Sequence, residues 1–346
     1  MHFTTLPTAT LSAGAFVAAL ACVGVLSHSE VGPLPAASAL NGEFQSGYEN
    51  SFKTANPLRE IAIGAYASLR YSLLNEASAG AIVGKDGWLF TAEEIEVHEG
   101  FDANIRASAE KIARTRDALA ANGAEMLAVI VPDKADIYAH ELGSERPDAV
   151  RGRLSTFLAY LNNVGINRVG ASEILQQEAA SGEVFMRDDT HWSPLGAKAV
   201  ADAIGLALVD HDIARTNVET LSLGPAPFDG DLLAFVPTGP LRGLAGPEQR
   251  SIERFETTVA SAGGLFGDAP VDVALVGTSF SAKQDWHFEG FLKQALSADV
   301  LNFSAEGAGP FAPMDAFIES EDFANNPPKI VIWEIPVRYI SKDLNQ

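Results

Sequence analysis

The sequence predicts an α/β fold, a doubly wound and mostly parallel sheet wrapped by helices, and three observations predict it. Short, continuous apolar runs recur at residues 126–131 (MLAVIV), 271–277 (VDVALVG) and 329–335 (KIVIWEI), as expected of strands buried on both faces. Stretches of helical periodicity separate them, which is the alternation of a βα sheet. The 346 residues are 47% hydrophobic and 20% charged, the balance of a packed globule and not of a disordered chain.

The chain opens on an apolar run from about Leu11 to Leu26, and its first Lys or Arg is Lys53. At an extreme N-terminus such a run reads as a signal-peptide core or a short signal anchor, so residues 1–28 are assigned to export. The missing basic flank leaves topology weakly specified, and a buried helix is the plain alternative. Ala19-Leu20-Ala21-Cys22 resembles a lipoprotein box without its leading leucine. Cys22 is the one cysteine, which excludes an internal disulfide framework and a multi-cysteine zinc site. Residues 29–56, rich in small and turn-forming types, read as an extended linker with Ala37-Ser38-Ala39 as a candidate cleavage site. The folded domain is expected over 57–346.

Within it, Leu58, Ile61, Ile63, Ala67, Leu69 and Leu73 form one apolar stripe, predicting a helix over about 57–75. GAIVGKDGWLFTAEE then reads as a hairpin turning at Lys85-Asp86-Gly87. A helix over 104–121 stops at Asn122-Gly123. After the strand at 126–131 come helices near 147–163 and 171–180. Ser193-Pro194, a capping serine with proline in the first turn, opens another that runs to about Leu208. A helix near 285–297 separates the strand at 271–277 from DVLNFS at 299–304. The Gly/Pro-punctuated stretch 212–262 is expected to be an irregular insertion covering one end of the sheet.

A formal net charge of −21 repels nucleic-acid phosphates, and no basic aromatic stripe offsets it. The same charge disfavours a strongly anionic polymer unless a local basic groove receives it. No pair of histidines has metal-ligand spacing such as HExxH.

Chemistry in open α/β sheets gathers beyond the carboxyl ends of the strands, and two stretches fall there. ALVGTSFSAK (274–283) puts Ser279 in a small-residue loop between a strand and a helix. A serine there is exposed beside free backbone N–H groups that can receive an oxyanion, and it needs a base to become nucleophilic. Satisfaction of turn backbone by Ser279 or Ser281 is the structural alternative. FMRDDTHWSPLG (185–196) puts His191 beside acids just before a helix start, as a base, a metal ligand or a polar loop residue. In an extended backbone, Asp189 and His191 face the same side, so a carboxylate can fix the imidazole tautomer. Asp188 competes if the loop is helical, and otherwise reads as a solvated charge. Trp192 reads as a wedge packing the loop, with sugar stacking as the alternative. Lys134 and Tyr138 follow a strand and either line the pocket or fill turn and surface roles. Glu334 and Arg338 read as an ion pair closing the sheet edge, with Arg338 also a candidate substrate contact. His287 reads as a packed residue.

GTSFS, DTHW, GKDGWLF, LNGEFQSGYE, VIVPDKADIY and IVIWEIPVRYI together resemble the alginate O-acetyltransferase group of the SGNH (GDSL-like) hydrolase superfamily, from about Leu40 to Tyr339. The acid and base precede the serine, the permuted order of that group. The resemblance implies a flavodoxin-like, SGNH-hydrolase-type sheet, with Ser279 as nucleophile, His191 as base and Asp189 as its orienting acid, and no metal or other cofactor. It implies acetyl transfer to hydroxyls of an exported, alginate-like polysaccharide in the periplasm, with the acetyl group supplied by an inner-membrane acyltransferase partner. The sequence stops shortly after VRYI, so the separate carbohydrate-binding module of some relatives is expected to be missing. The alternatives are a carbohydrate acetylesterase with the same triad, and a non-catalytic subunit of a polysaccharide export complex.

Overall fold

The computed structural model describes residues 8–32, 41–260 and 271–344; the cleavage candidate Ala37-Ser38-Ala39 lies outside them. The chain forms two compact units, one of Met1–Leu74 with Val236–Gly246 and one of Asn75–Phe235 with Pro247–Gln346.

The first unit is helical: Thr8–Ser29, Glu43–Ala55 and Arg59–Leu69, the last running on into a wider turn at Arg70–Leu74. The helix Glu43–Ala55 corrects the extended linker expected over 29–56. Its small and polar residues conceal Phe44, Tyr48 and Phe52 at a spacing of four, one aromatic stripe on a helix. Tyr48 and Phe52 stack at 5.9 Å, and the Tyr48 hydroxyl lies 2.8 Å from His28 Nδ1 on the preceding helix. The domain boundary drawn at 57 correspondingly moves to Asn75. Among the described residues no helix is long and apolar enough to cross a membrane.

The second unit contains a hairpin of β1 (Ala81–Val83) and β2 (Leu89–Thr91), turning where expected. Its centre is a five-stranded parallel sheet of β3 (Glu125–Val131), β4 (Arg168–Val169), β7 (Val273–Val276), β8 (Leu301–Asn302) and β9 (Ile330–Pro336) in the order β4-β3-β9-β7-β8. β9 pairs with β3 from Glu125↔Ile330 to Val131↔Pro336 and with β7 from Val273↔Ile330 to Val276↔Trp333.

Period-two alternation divides β3, β7 and β9 between two cores. Leu127, Val129, Leu275 and Ile332 face one layer, with Leu175 and Val200 of the helices Ala171–Glu178 and Pro194–Ala207. Met126, Ala128, Ile130, Trp333 and Ile335 face the other, with Ile105 and Phe157 of the helices Phe101–Ala121 and Arg153–Asn163. Burial on both faces is why the strands read as continuous apolar runs, each large side chain contributing about 1.5–3 kcal/mol.

The described part of the insertion, residues 212–260, contains two long strands where an irregular stretch is expected. β5 (Val218–Phe228) and β6 (Arg250–Val259) form a long antiparallel ribbon that bulges between Ser222 and Gly224. One of its faces is exposed, so it carries no apolar run, and Gly224, Pro225 and Pro227 interrupt the alternation that would have revealed it.

Candidate active site

β3, β7 and β9 deliver their carboxyl ends to one edge of the sheet, and each supplies a part of the site. The chain leaves β7 at Gly277, where a Cβ would lie 2.5 Å from Glu334 Oε2; only glycine lets the backbone pass over that glutamate. Thr278 is extended and caps the short helix Ser279–Ala282. Beneath it, fully buried Glu334 of β9 accepts the Thr278 N–H at 2.7 Å, the Thr278 hydroxyl at 3.0 Å and the Ser281 hydroxyl at 3.1 Å, all at Oε2. Burial pushes the Glu334 carboxyl up to about 7, against these donors and the Arg338 charge, which favour the carboxylate. Ser281 is therefore the structural serine of the pair, its hydroxyl given to the Glu334 carboxylate and not to turn backbone, and Ser279 stands free of that network.

The histidine loop is a closed excursion, pinned where Phe185 bridges to Trp192. Asp189 turns back on its own chain: Oδ1 accepts the His191 N–H at 2.9 Å and His191 Nδ1 lies 2.6 Å from the same oxygen. This Asx-type turn, and not the strand alternation expected, puts acid and base together. Oδ2 accepts the Asp231 N–H at 2.8 Å. Burial would raise the Asp189 carboxyl, but the His191 hydrogen bond and charge, with the two backbone donors, bring it down to about 2. An ionised carboxylate only accepts, so Nδ1 carries the proton and Nε2 offers its lone pair. His191 Nε2 lies 2.6 Å from Ser279 Oγ. The imidazole is packed between Phe280, at 4.7 Å, and Trp286, at 5.0 Å and nearly parallel.

Ser279, His191 and Asp189 are thus brought together, and the four candidate substrate contacts are all buried and engaged within the protein. Lys134 is buried under the histidine loop, where Nζ donates to the carbonyls of Asp189 at 2.7 Å, Met186 at 3.0 Å and Arg187 at 3.3 Å. Burial lowers its ammonium to about 8, opposed by Glu94, Asp189, Asp231 and Asp188. The Tyr138 hydroxyl accepts the Val184 N–H at 2.9 Å, one residue before the loop. Trp192 is the wedge, its indole N–H donating to the Phe280 carbonyl at 3.1 Å and so tying the two loops together. Arg338 is buried with its guanidinium over Phe280 at 5.2 Å, and its ion pair is with Glu93 at 3.3 Å rather than with Glu334. Glu334 is spent on the nucleophile loop, which is why the expected pair does not form.

Two further expectations change. Asp188 is no solvated charge: it is buried, neither carboxylate oxygen has a hydrogen-bond partner among the described residues, and burial raises its pKa. His287 is packed as expected, against Phe255 and Phe291, with Nε2 2.6 Å from Thr257 Oγ1. Asp231 escaped sequence reasoning. It opens the one-turn helix Asp231–Phe235 after β5 and lies 3.7 Å from His191 Nδ1. A Cβ at Gly230 would sit 2.0 Å from the Asp188 carbonyl oxygen, so this glycine permits the approach. The only signal in the chain was Asp-Gly-Asp in a turn. Asp189, His191 and Asp231 offer three ligand atoms within 4.8 Å of one another, but the ring has no lone pair to spare for a metal while Nδ1 serves Asp189 and Nε2 serves Ser279.

The family model described as the SGNH hydrolase-like domain of the acetyltransferase AlgX matches residues 81–337. The chain is 36% identical over 324 residues to the probable alginate O-acetylase AlgJ of Pseudomonas aeruginosa, covering 89% of this chain and 83% of the relative. The corresponding protein of Pseudomonas syringae is 35% identical over 312 residues, covering 88% and 80%. Among solved structures, the O-acetyltransferase domain of Pseudomonas putida AlgJ aligns with a TM-score of 0.70 at 33% identity, over 77% of this chain and 94% of that one. The parallel sheet, the permuted order of its loops and these similarities agree: this chain belongs to the SGNH hydrolase-like acetyltransferases of the AlgX family.

Proposed function

We propose that the protein moves acetyl groups onto hydroxyls of an exported, alginate-type polysaccharide through an acetyl ester on Ser279. The observation that carries this is the 2.6 Å approach of His191 Nε2 to Ser279 Oγ while Nδ1 is held by Asp189. His191 takes the hydroxyl proton as Oγ attacks the acetyl carbonyl. The N–H of Ser279, in the first position of its turn, has no carbonyl behind it to bond and is available to the oxyanion. Collapse expels the donor's alcohol or thiol group, which leaves with the proton from the imidazolium. A sugar hydroxyl then gives its proton to His191, attacks the acetyl-serine and releases Ser279, whose oxygen recovers the proton. Asp189, ionised throughout, stabilises the imidazolium in both halves.

Ser279→Ala should lower transfer from a model acetyl donor to oligosaccharides by a factor of about 10³ or more while leaving the fold intact. Mass spectrometry should find acetyl on Ser279 of the unvaried protein. Full activity of the variant sinks this reading; acetate release without acetylated glycan makes the protein an esterase instead, and absence of acetyl-serine leaves a non-catalytic subunit.

The apolar, uncharged N-terminal helix supports export to the periplasm with the segment retained in, or cleaved at, the inner membrane. Acetyl supply by an inner-membrane acyltransferase fits that placement. A reporter active only outside the cytoplasm, fused after residue 56, tests it; a silent reporter removes export.

A further inference from the structure

The imidazole of His191 faces two carboxylates. Asp189 Oδ1 lies 2.6 Å from Nδ1 and Asp231 Oδ2 lies 3.7 Å from the same nitrogen. Between ring and Asp231 stands Thr190, whose Oγ1 is 3.2 Å from Nδ1 and donates to Asp231 Oδ2 at 2.6 Å. The direction of that bond follows from valence. Nδ1 bears the proton directed at Asp189, so it accepts nothing, and the one hydroxyl proton of Thr190 goes to Asp231. The hydroxyl oxygen then presents a lone pair to the ring, a dipole aligned by the carboxylate behind it. Asp231 Oδ1 accepts the Thr190 N–H at 2.8 Å, so both oxygens of this side chain are used within the histidine loop.

We propose that Asp231 is a second acid of the site, a positioning residue that with Thr190 orients His191 and, alongside Asp189, stabilises its protonated form. The catalytic acid is thereby shared between two segments 42 positions apart in the chain. Asp189 is buried and makes the direct contact; Asp231 is partly exposed, at 35% of its side chain, and acts through charge and through the threonine. The remaining charges around the loop include Arg187, paired with Glu183, Asp188, the Lys134 ammonium in the cage of carbonyls and Arg338 over Phe280. None of these lies within bonding distance of the imidazole, so removing the Asp231 charge changes the field at Nδ1 most directly. The proposal rests on reading His191 as the base, and its test is arranged to stand apart from that reading.

Asp231→Asn keeps the shape and leaves the backbone N–H on Asp189. Removing a negative charge disfavours the imidazolium, so the NMR titration of the His191 ring should move to lower pH by about half a unit or more. The acidic limb of the pH–rate profile should move with it, and kcat should fall about three- to thirty-fold with the acceptor KM within about two-fold. Thr190→Val, which keeps both acids, should shift the ring in the same direction by less, and carries the test if Asp231→Asn does not fold. A ring titration that stays in place in the folded variant overturns the proposal. An active Ser279→Ala protein would remove the acyl-transfer reading, whereas the ring titration decides the role of Asp231 by itself.

Discussion

The two loops that meet at the site are held by opposite charges. The nucleophile loop sits on Glu334, a buried carboxylate accepting one N–H and two hydroxyls. The histidine loop sits on Lys134, a buried ammonium donating to three carbonyls. Backbone polarity explains the difference. A chain entering a helix presents N–H groups that an anion satisfies, whereas the closed excursion at 185–192 turns its carbonyls inward and needs a cation. Each anchor comes from the carboxyl end of a different neighbouring strand, so the sheet itself sets the spacing of nucleophile and base. Precision is obtained at the expense of two buried charges, which burial pushes toward neutrality from opposite sides, to about 7 for the acid and about 8 for the amine.

The comparison predicts that the cation is the less replaceable anchor, because it serves three carbonyls, of which only that of Arg187 has a second donor, the Leu89 N–H at 2.8 Å. Lys134→Met preserves length but takes their donor from the Asp189 and Met186 carbonyls in an apolar setting between Trp88 and Phe90, while the Arg187 carbonyl keeps the Leu89 N–H. The expected outcome is a loss of at least about 3 kcal/mol in chemical denaturation, with acetyl-serine formation abolished. A variant within about 1 kcal/mol of the unvaried protein would break the comparison, since the loop would then be holding itself.

Glu334→Gln is the milder counterpart and is read through pH. A carboxyl raised from 4.5 to about 7 favours the folded state fully below pH 4.5, and that contribution is lost as pH rises through 7. The unvaried protein should therefore lose up to about 3 kcal/mol across that window relative to the glutamine variant. Glu94, raised to about 7 by its own burial and by Asp133, is present in both proteins and cancels. Asp189 works in the other direction: held near 2, its contribution is complete above 3.8 and is lost as pH falls through 2. Parallel stability curves for the two proteins between pH 4.5 and 7 would show that Glu334 is not the titrating anchor.

How much of this was legible follows from what each residue does. The sheet was readable because burial on both faces writes apolar runs into the chain, and only β4, two residues long, was too short to register. Ser279 was readable because it interrupts a regular pattern where β7 ends, and His191 because it stands among acids just before the helix Pro194–Ala207. Lys134 was visible as a candidate but not in its role, since lysines are seldom buried and nothing local announces three carbonyls contributed from 52 or more positions away. Asp231 was hidden by the ribbon, whose alternation is broken by glycine and prolines and whose approach to the histidine loop is a tertiary event. Glu334 was seen, but its partner was misassigned because sequence proximity favoured Arg338 over a backbone N–H on another strand.

Tyr138 gives the smallest and most discriminating test. Its hydroxyl braces the histidine loop at the Val184 N–H, one residue outside the bridge that closes it, so it is a strut beneath the loop and touches neither reacting atom. Burial lifts its phenol above the ordinary value, so the group stays neutral through the working range and contributes no pH dependence. Tyr138→Phe removes one oxygen and leaves one N–H without its acceptor, an expected loss of about 1 kcal/mol in chemical denaturation. Transfer rate and acceptor KM should stay within about two-fold, because Lys134 still fixes the loop at three carbonyls nearer the histidine. A KM raised ten-fold at unchanged stability would return Tyr138 to the pocket wall and assign substrate contact to a side chain that the loop architecture uses as a brace.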